Sequence, residues 1–213
     1  MQNIAIYGAG GFGKEIYCLI EEINRQERVW EFVGYYDDGK AVGEDIYQGQ
    51  VLGGMDALNA VSSSLAVVFA IGNPKIIAKL ASAVNNPHIY FPNLIAPDFR
   101  VLDGETFRIG RGNLVFSKCT VSCFVELGDF NVLNSLIGIG HESKVGNCNV
   151  FMPGTRISGD VHIGNSNLFG IYSVVLPGVR IGQETVVGAS SVVMNNTKDN
   201  STYIGNPARK FDY

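Results

Sequence analysis

The sequence IGRGNLVFSKCTV, from Ile109 to Val121, begins a stretch that extends to Val193 and repeats in hexads. Every sixth position in this stretch is aliphatic or aromatic, although apolar residues make up only 46% of the chain. From Ile109 onward, every third hexad opens with an apolar residue followed by glycine, which adds a second period of three hexads. The sixth positions are Ile109, Val115, Val121, Leu127, Leu133, Ile139, Val145, Phe151, Ile157, Ile163, Phe169, Val175, Ile181, Val187 and Val193.

A period of six is typical of a parallel β-helix, in which three hexads form one coil and each of three faces receives one short strand per coil. We therefore predict that the first residue of each hexad points inward. The fifth residue is usually small, as expected beside a tight corner. These small residues are Asn113, Cys119, Ser143, Thr155, Ser173, Thr185, Ser191 and Thr197. A β-sandwich of short strands is the alternative, but such a fold does not require a strict hexad period.

The repeat has recognisable limits. Ile95 and Val101 keep the hexad spacing, but the step from Val101 to Ile109 is longer, which predicts a short insertion near Asp103-Gly104. The period is lost after Val193, and residues 202–210 are predicted to form a turn-rich terminal segment. We predict two domains, an α/β unit over residues 1–92 and the β-helix over residues 93–213.

The α/β unit begins with a glycine-rich turn. The apolar strand Ile4–Tyr7 leads into Gly8-Ala9-Gly10-Gly11-Phe12-Gly13, and a pattern typical of an amphipathic helix follows. In a G-x-G-x-x-G turn between a strand and a helix, bare backbone and free N–H groups at the helix start bind phosphate. Further strands are predicted at Trp30–Tyr36, Leu65–Ile71 and His88–Phe91, helices at Met55–Val61 and Lys75–Val84, and a hairpin-like segment at Gln50–Leu52.

Two carboxylates follow the second predicted strand. Asp37 follows Gly13 at close to the spacing at which an acidic residue contacts ribose in dinucleotide-binding folds. The alternative is that Asp37-Asp38-Gly39 forms an ordinary surface turn. Only three main parallel strands are predicted, which is half of a dinucleotide-binding fold. This argues against NAD and favours a single nucleotide diphosphate, for which a nucleotide sugar is the natural candidate.

Composition excludes several classes of partner. The chain has 16 Lys and Arg against 20 Asp and Glu, a net charge of −4 without a basic block, which argues against nucleic acid and anionic membranes. We expect neither a signal peptide nor a membrane span, because no apolar run approaches the length that a bilayer-spanning helix needs. The spacing of the four cysteines does not match a zinc site, and we interpret them as reduced thiols of a cytoplasmic protein.

Three histidines are candidates for chemistry. His88 is predicted at a strand edge, and His162 precedes an inward residue and should face solvent. His141 lies two positions after the inward Ile139, near a corner, and Glu142 follows it directly. An imidazole accepts a proton near neutral pH, and a neighbouring carboxylate can fix its tautomer. Weighed alone, a histidine in these surroundings is more often a surface residue than a catalyst.

Motifs in both halves of the chain occur together. They are Gly8-Ala9-Gly10-Gly11-x-Gly13, Asp37-Asp38, Ile71-Gly72-Asn73, Asn134, Ile139-Gly140-His141-Glu142, Pro153-Gly154, Ser158-Gly159 and Gly205-Asn206-Pro207-Ala208-Arg209. In this combination the whole chain resembles the PglD/NeuD-type sugar O- or N-acyltransferases. That family joins a Rossmann-like nucleotide-sugar-binding domain to a left-handed parallel β-helix of hexapeptide repeats, which assembles as a homotrimer.

The resemblance implies roles for individual residues. His141 would be the general base that deprotonates the acceptor amine, supported by Glu142, as the amine attacks the thioester of acetyl-CoA. The backbone N–H of Gly159 would stabilise the oxyanion. Ile171 and Ala189 would line the acetyl-CoA groove, and the position of Val150 belongs to the acetyl-CoA site. The implied nucleotide-sugar contacts are Gly10, Gly11, Phe12, Asp37, Asp38 and Gly72, with Asn134 near the sugar.

The chain departs from the family pattern at two positions. Many members have histidine where Phe12 stands, and many have a second histidine shortly after the catalytic one, where this chain has Val150. Valine cannot donate a hydrogen bond to the acetyl-CoA carbonyl. The departures therefore leave open the acyl placement and the identity of the sugar, but they do not affect His141.

The resemblance implies an acetyl-CoA-dependent N-acetyltransferase that acts on the free amine of a nucleotide-linked amino sugar, a 4-amino-6-deoxy sugar, in surface-glycan biosynthesis. Neither a metal nor nucleic acid nor a membrane is expected to take part, and active sites are expected between subunits. Alternatives are a sialic-acid-type O-acetyltransferase, which would not need a nucleotide site, and a non-catalytic hexapeptide-repeat protein. A hexapeptide-repeat carbonic anhydrase would need three converging histidines, and the repeat holds only His141 and His162.

Overall fold

The computed structural model describes residues 1–211, and its first part is a six-stranded α/β unit. The sheet order is β3-β4-β2-β1-β5-β6, and all pairs are parallel except the short β3–β4 hairpin. The elements are β1 (Gln2–Tyr7), α1 (Gly11–Gln26), β2 (Trp30–Tyr36), β3 (Asp45–Ile46), β4 (Gly49–Gly53), α2 (Met55–Asn59), β5 (Leu65–Phe69), α3 (Pro74–Ala83) and β6 (Ile89–Tyr90). The three predicted main strands form the centre of this sheet, and β4 and β6 extend it on either side.

The second part is a solenoid of very short strands, each of which pairs with the equivalent strand of the next coil, as in Leu133 with Phe151. Face I contains β7 (Leu94–Ile95), β10 (Leu114–Val115), β13 (Val132–Leu133), β16 (Val150–Phe151), β19 (Leu168–Phe169) and β22 (Val186–Val187). Face II contains β8 (Arg100–Val101), β11 (Thr120–Val121), β14 (Gly138–Ile139), β17 (Arg156–Ile157), β20 (Val174–Val175) and β23 (Val192–Val193). Face III contains β9 (Arg108–Ile109), β12 (Glu126–Leu127), β15 (Lys144–Val145), β18 (His162–Ile163) and β21 (Arg180–Ile181).

The inward positions are as predicted. All the first residues of the hexads from Val115 to Val193 are buried, and only Ile109 in the first coil is half-buried. Each hexad then turns a corner through its fourth residue, which adopts a positive φ, for example 58° at Glu142. We name the corners by the faces they join in chain order: I/II, II/III and III/I. Because the cross-section has three faces, corner II/III lies opposite face I.

The small fifth residues are buried inside the corners, except Thr197 after the last hexad strand, which is half-buried. At corner III/I they form a ladder of asparagines one coil apart, in which each side-chain oxygen accepts hydrogen bonds from the next rung. The ladder contains Asn113, Asn131, Asn149 and Asn167, all 0% exposed. It satisfies backbone groups that would otherwise be buried without partners.

The residue that precedes each inward position gives the three faces different surfaces. On face I these residues are apolar. Leu114, Val132 and Val150 are buried in one cluster with residues of the α/β unit, and the half-buried Leu168 packs against that cluster. On face III they are mostly charged: Arg108, Glu126, Lys144, His162 and Arg180. On face II four of the six are small or apolar and two are arginines: Arg100, Thr120, Gly138, Arg156, Val174 and Val192.

The α/β unit therefore covers face I. Phe12 stacks on Phe116 with ring centroids 5.7 Å apart, and Phe69 stacks on Phe130 at 5.6 Å. Aromatic pairs of this kind contribute about 0.5–1.5 kcal/mol beyond their area. A 2.6 Å ion pair between Lys75 and Glu184 joins the two parts farther along the solenoid.

The C-terminal segment differs from its prediction. Instead of a turn-rich segment, residues 202–211 form an antiparallel hairpin of β24 (Thr202–Gly205) and β25 (Ala208–Phe211). β24 pairs with β22 and so continues face I past the last hexad. Within residues 1–211, no helix is both long and apolar enough to cross a bilayer.

Candidate active site

His141 and Glu142 form a pair at corner II/III. The Nδ1 atom of His141 lies 3.0 Å from Oε2 of Glu142. Because a carboxylate can only accept a hydrogen bond, this contact favours the neutral tautomer with its proton on Nδ1. The lone pair of Nε2 is then available to accept a proton. Both side chains are more than half exposed, at 59% and 64%.

Gly159 lies one coil beyond His141, at the same corner. Its backbone N–H has no acceptor within residues 1–211. A β-carbon on Gly140 would lie 2.5 Å from this nitrogen, so the glycine at 140 leaves the N–H uncovered. At corner III/I the equivalent amides are occupied, since the N–H groups of Asp129 and Asn147 donate to side chains of the next coil. Corner II/III thus combines a proton acceptor with a free amide donor.

The residues expected in the acetyl-CoA groove lie at a different corner. Ile171 and Ala189 are exposed on successive coils of corner I/II. A β-carbon on Gly170 would lie 2.5 Å from the nitrogen of Ala189, so this amide is uncovered in the same way as that of Gly159. The structure does not bring these residues together with His141 in one chain. Corners I/II and II/III are, however, the two edges of face II.

The glycine-rich turn has the features expected of an anion site. Gly8 has a φ of +113°, and a β-carbon on Gly13 would lie 2.2 Å from the carbonyl oxygen of Gly8. These two glycines therefore allow the turn to close against α1. Gly10 and Gly11 are exposed, with open space above them, and Gly10 caps α1 without a side-chain hydrogen bond. The first N–H groups of α1 point to that space, where a phosphate would be stabilised.

Asp37 and Asp38 have structural tasks at this turn. The oxygens of Asp37 accept hydrogen bonds from the N–H groups of Ala9, at 2.8 Å, and Gly39, at 2.9 Å. Those of Asp38 accept from Tyr7 Oη at 2.6 Å and from the N–H of Met55 at 2.9 Å. The Tyr7 hydrogen bond, more than the Met55 one, lowers the pKa of Asp38. Both carboxylates thus hold the turn in place, as the surface-turn alternative requires.

The remaining predicted contacts have distinct surroundings. Gly72 is exposed with open space beside it, at the end of the strand next to β1. Phe12, where many family members have histidine, stacks against the solenoid. The side-chain amide of Asn134 donates to the carbonyl of Phe151 at 3.1 Å. Val150 is only 1% exposed and packs beneath the α/β unit. Because no ligand can reach a side chain so buried, the structure does not place Val150 in an acetyl-CoA groove.

His162 lines one surface cavity together with Glu142 and Asp160. His162 is half-buried on face III, 3.7 Å from Asp160. In the described part of the chain, no three His, Cys, Asp or Glu residues are arranged to hold a metal ion. All four cysteines are free. Burial raises the pKa of Cys119 and of Cys148 to about 11, so these thiols stay protonated at neutral pH.

The glycine-rich turn and His141 lie on opposite sides of one chain. The turn belongs to the unit that covers face I, whereas His141 stands on the corner opposite that face. The sequence predicted both sites but gave their relative placement only through the family resemblance. The apolar outward residues of face I are the sequence signal that predicts this relative placement.

Comparisons with known proteins agree with both halves of the fold. Residues 3–84 match the family described as PglD N-terminal domain, and residues 160–195 match the bacterial transferase hexapeptide family of six repeats. GDP-perosamine N-acetyltransferase of Escherichia coli O157:H7 is 26% identical over 159 residues, which cover 75% of this chain and 71% of that protein.

Two solved structures superpose over nearly the full chain. PerB from Caulobacter crescentus, in complex with CoA and GDP-perosamine, is 25% identical with a TM-score of 0.87, covering 100% of this chain and 98% of PerB. The acetyltransferase domain of PglB from Neisseria gonorrhoeae FA1090, in complex with acetyl coenzyme A, is 27% identical with a TM-score of 0.85, covering 99% of each chain. With its Rossmann-like unit and left-handed parallel β-helix, the chain belongs to the PglD/NeuD-type family of hexapeptide-repeat acyltransferases.

Proposed function

We propose that this acyltransferase uses acetyl-CoA to N-acetylate the free amine of a nucleotide-linked amino sugar. The observation that carries the proposal is corner II/III, where the free Nε2 of His141 and the uncovered N–H of Gly159 occur on adjacent coils. The named substrates of its relatives support the same assignment, since one is a GDP-perosamine N-acetyltransferase and another binds acetyl coenzyme A. A 4-amino-6-deoxy sugar is the proposed acceptor.

The proposed reaction is a direct transfer. The amine nitrogen attacks the thioester carbonyl, and Nε2 of His141 accepts the proton that the amine loses. The N–H of Gly159 donates to the oxyanion that forms on the carbonyl oxygen. The C–S bond then breaks, and the CoA thiolate leaves and takes a proton. Glu142 keeps the imidazole in the tautomer that can act as base and stabilises the imidazolium.

We propose that the acceptor binds at the glycine-rich turn. The N–H groups after Gly10 and Gly11 would hold the diphosphate, with Gly72 beside it. Asp37 and Asp38 would shape the turn and approach the ribose. Phe12 and Asn134 would line the sugar end of the cleft. We assign nucleotide binding to residues 1–92, and the transfer chemistry together with the Asn134 contact to residues 93–213. The proposed location of the protein is the cytoplasm, and the proposed pathway is surface-glycan biosynthesis.

We further propose a homotrimer with active sites between subunits. Face I is covered by the α/β unit and face III is mostly charged, whereas face II offers small and apolar residues for packing beside Arg100 and Arg156. If face II of each copy turns toward a three-fold axis, corner II/III of one copy lies against corner I/II of the next. His141 of one copy would then meet Ile171, Ala189 and the acceptor cleft of its neighbour. A native mass equal to a single chain would contradict this arrangement.

The test is an acetyl-transfer screen with UDP-, dTDP- and GDP-linked 4-amino-6-deoxy sugars, comparing the wild type with His141→Ala. Removal of a general base slows transfer by about 10²–10⁴-fold, so we expect one nucleotide sugar to be acetylated and the variant to be slower by that factor. Equal, poor transfer by both proteins to every acceptor would instead indicate a non-catalytic protein. Transfer to a free sugar hydroxyl without nucleotide affinity would indicate an O-acetyltransferase.

A further inference from the structure

The imidazole of His141 lies directly over the bare α-carbon of Gly159. A β-carbon added at Gly159 would lie 2.4 Å from Nε2, 2.6 Å from Cε1 and 2.9 Å from Cδ2 of the ring. These distances are far shorter than favourable contacts between carbon atoms, which begin at about 3.5 Å. The ring therefore occupies the space that any side chain at position 159 would fill.

Within residues 1–211, one contact on each side positions the ring. The Nδ1 edge is held by Glu142 at 3.0 Å, and the opposite edge rests on Gly159. The side chain is 59% exposed, so more than half of its surface is free of packing contacts. From this geometry we infer that Gly159, because it lacks a side chain, provides the space in which the imidazole of His141 is positioned. On the proposed function, Gly159 is a positioning residue that aims Nε2 of His141 at the acceptor amine.

This role is separate from that of the Gly159 backbone. An alanine at 159 keeps the N–H that would bind the oxyanion and adds only the methyl group. Gly159 does not adopt a positive φ, so alanine is compatible with its backbone. The nearest atoms to the added methyl all belong to the mobile end of His141. Gly159→Ala should therefore fold normally and move the ring away from Glu142 and from the acceptor.

The first test uses kinetics of four proteins: wild type, Gly159→Ala, His141→Ala and the double variant. A reacting group misplaced by about 1 Å can cost about 10²-fold in rate, so we expect Gly159→Ala to lower kcat by about that factor with little change in KM. If Gly159 acts through His141, the double variant should be no slower than His141→Ala. Gly104→Ala, in the first-coil insertion with open space around it, is the matched control and should keep wild-type activity.

Two outcomes would overturn the inference: wild-type kcat in Gly159→Ala, or effects that multiply in the double variant. A second measurement does not depend on transfer. The chain has three histidines, and we expect Gly159→Ala to shift the imidazole NMR signals of His141 and to leave those of His88 and His162 unchanged. Unchanged His141 signals would refute the inference that Gly159 positions the ring. If the wild type fails to transfer acetyl but Gly159→Ala still shifts the His141 signals, the proposed function alone is refuted.

Discussion

The asparagine ladder gives a stability prediction whose magnitude follows from its contacts. The Oδ1 atom of Asn149 accepts hydrogen bonds from the backbone and side-chain N–H groups of Asn167, both at 2.9 Å. Its Nδ2 donates to Asn131 at 3.0 Å, and all three residues are 0% exposed. Asn149→Ala leaves two buried donors of Asn167 without an acceptor. At about 1–3 kcal/mol for each unsatisfied group, we expect a loss of about 2–6 kcal/mol.

Asn147 is the matched control, two positions away. It also links adjacent coils, because its Oδ1 accepts from the N–H of Asp129 at 2.7 Å, but it is exposed. Water can replace this contact, so Asn147→Ala should lose no more than about 1 kcal/mol. The assay is equilibrium urea unfolding at one fixed protomer concentration, because the proposed assembly would make apparent stability concentration-dependent. Similar losses in the two variants would refute the reasoning that burial decides the cost.

Two further predictions follow from ionisable side chains. A thiol reagent at neutral pH should label the exposed Cys18 rapidly and reach Cys119 and Cys148 only after unfolding, since burial keeps these two protonated; rapid labelling of all sites in the folded protein would contradict this. The hydrogen bond from Tyr7 is the main cause that lowers the folded-state pKa of Asp38. The ionised Asp38 therefore stabilises the folded protein above the ordinary aspartate pKa of about 3.9, and this stabilisation is lost as the pH falls through the lowered, folded-state pKa. Tyr7→Phe should therefore shift acid unfolding, followed by circular dichroism, to higher pH, and an unchanged midpoint would disprove the link.

Much of the fold was readable from the sequence because inward positions leave a periodic signal. The column from Val115 to Val193 predicted the solenoid, and the glycine-rich turn predicted the first strand and helix. The face that the α/β unit covers was equally readable. Leu114, Val132 and Leu168 precede inward residues on face I and are apolar, whereas Arg180 at the same position on face III is charged.

Other features depend on contacts that no local pattern contains. The burial of Val150 follows from the docking of a unit that lies far earlier in the chain. The hydrogen bonds of Asp37 and Asp38 to Ala9 and Tyr7 depend on how β1 and β2 pair. The position of the His141 ring over Gly159 depends on the register between coils and on a side-chain rotamer. Sequence periodicity does not specify the rotamer.

In the proposed trimer, the acceptor cleft of one copy is served by His141 of another. Gly11→Glu should disable the cleft without unfolding it, because position 11 has open space and a carboxylate there repels a diphosphate. Each active site of a mixed trimer needs an intact turn from a His141→Ala copy and an intact histidine from a Gly11→Glu copy. The measurement is acetyl transfer by the two inactive variants, unfolded and refolded together in equal amounts. We predict recovery of about a quarter of wild-type activity, as random closed assembly implies, whereas no recovery in correctly assembled mixtures would contradict a shared site.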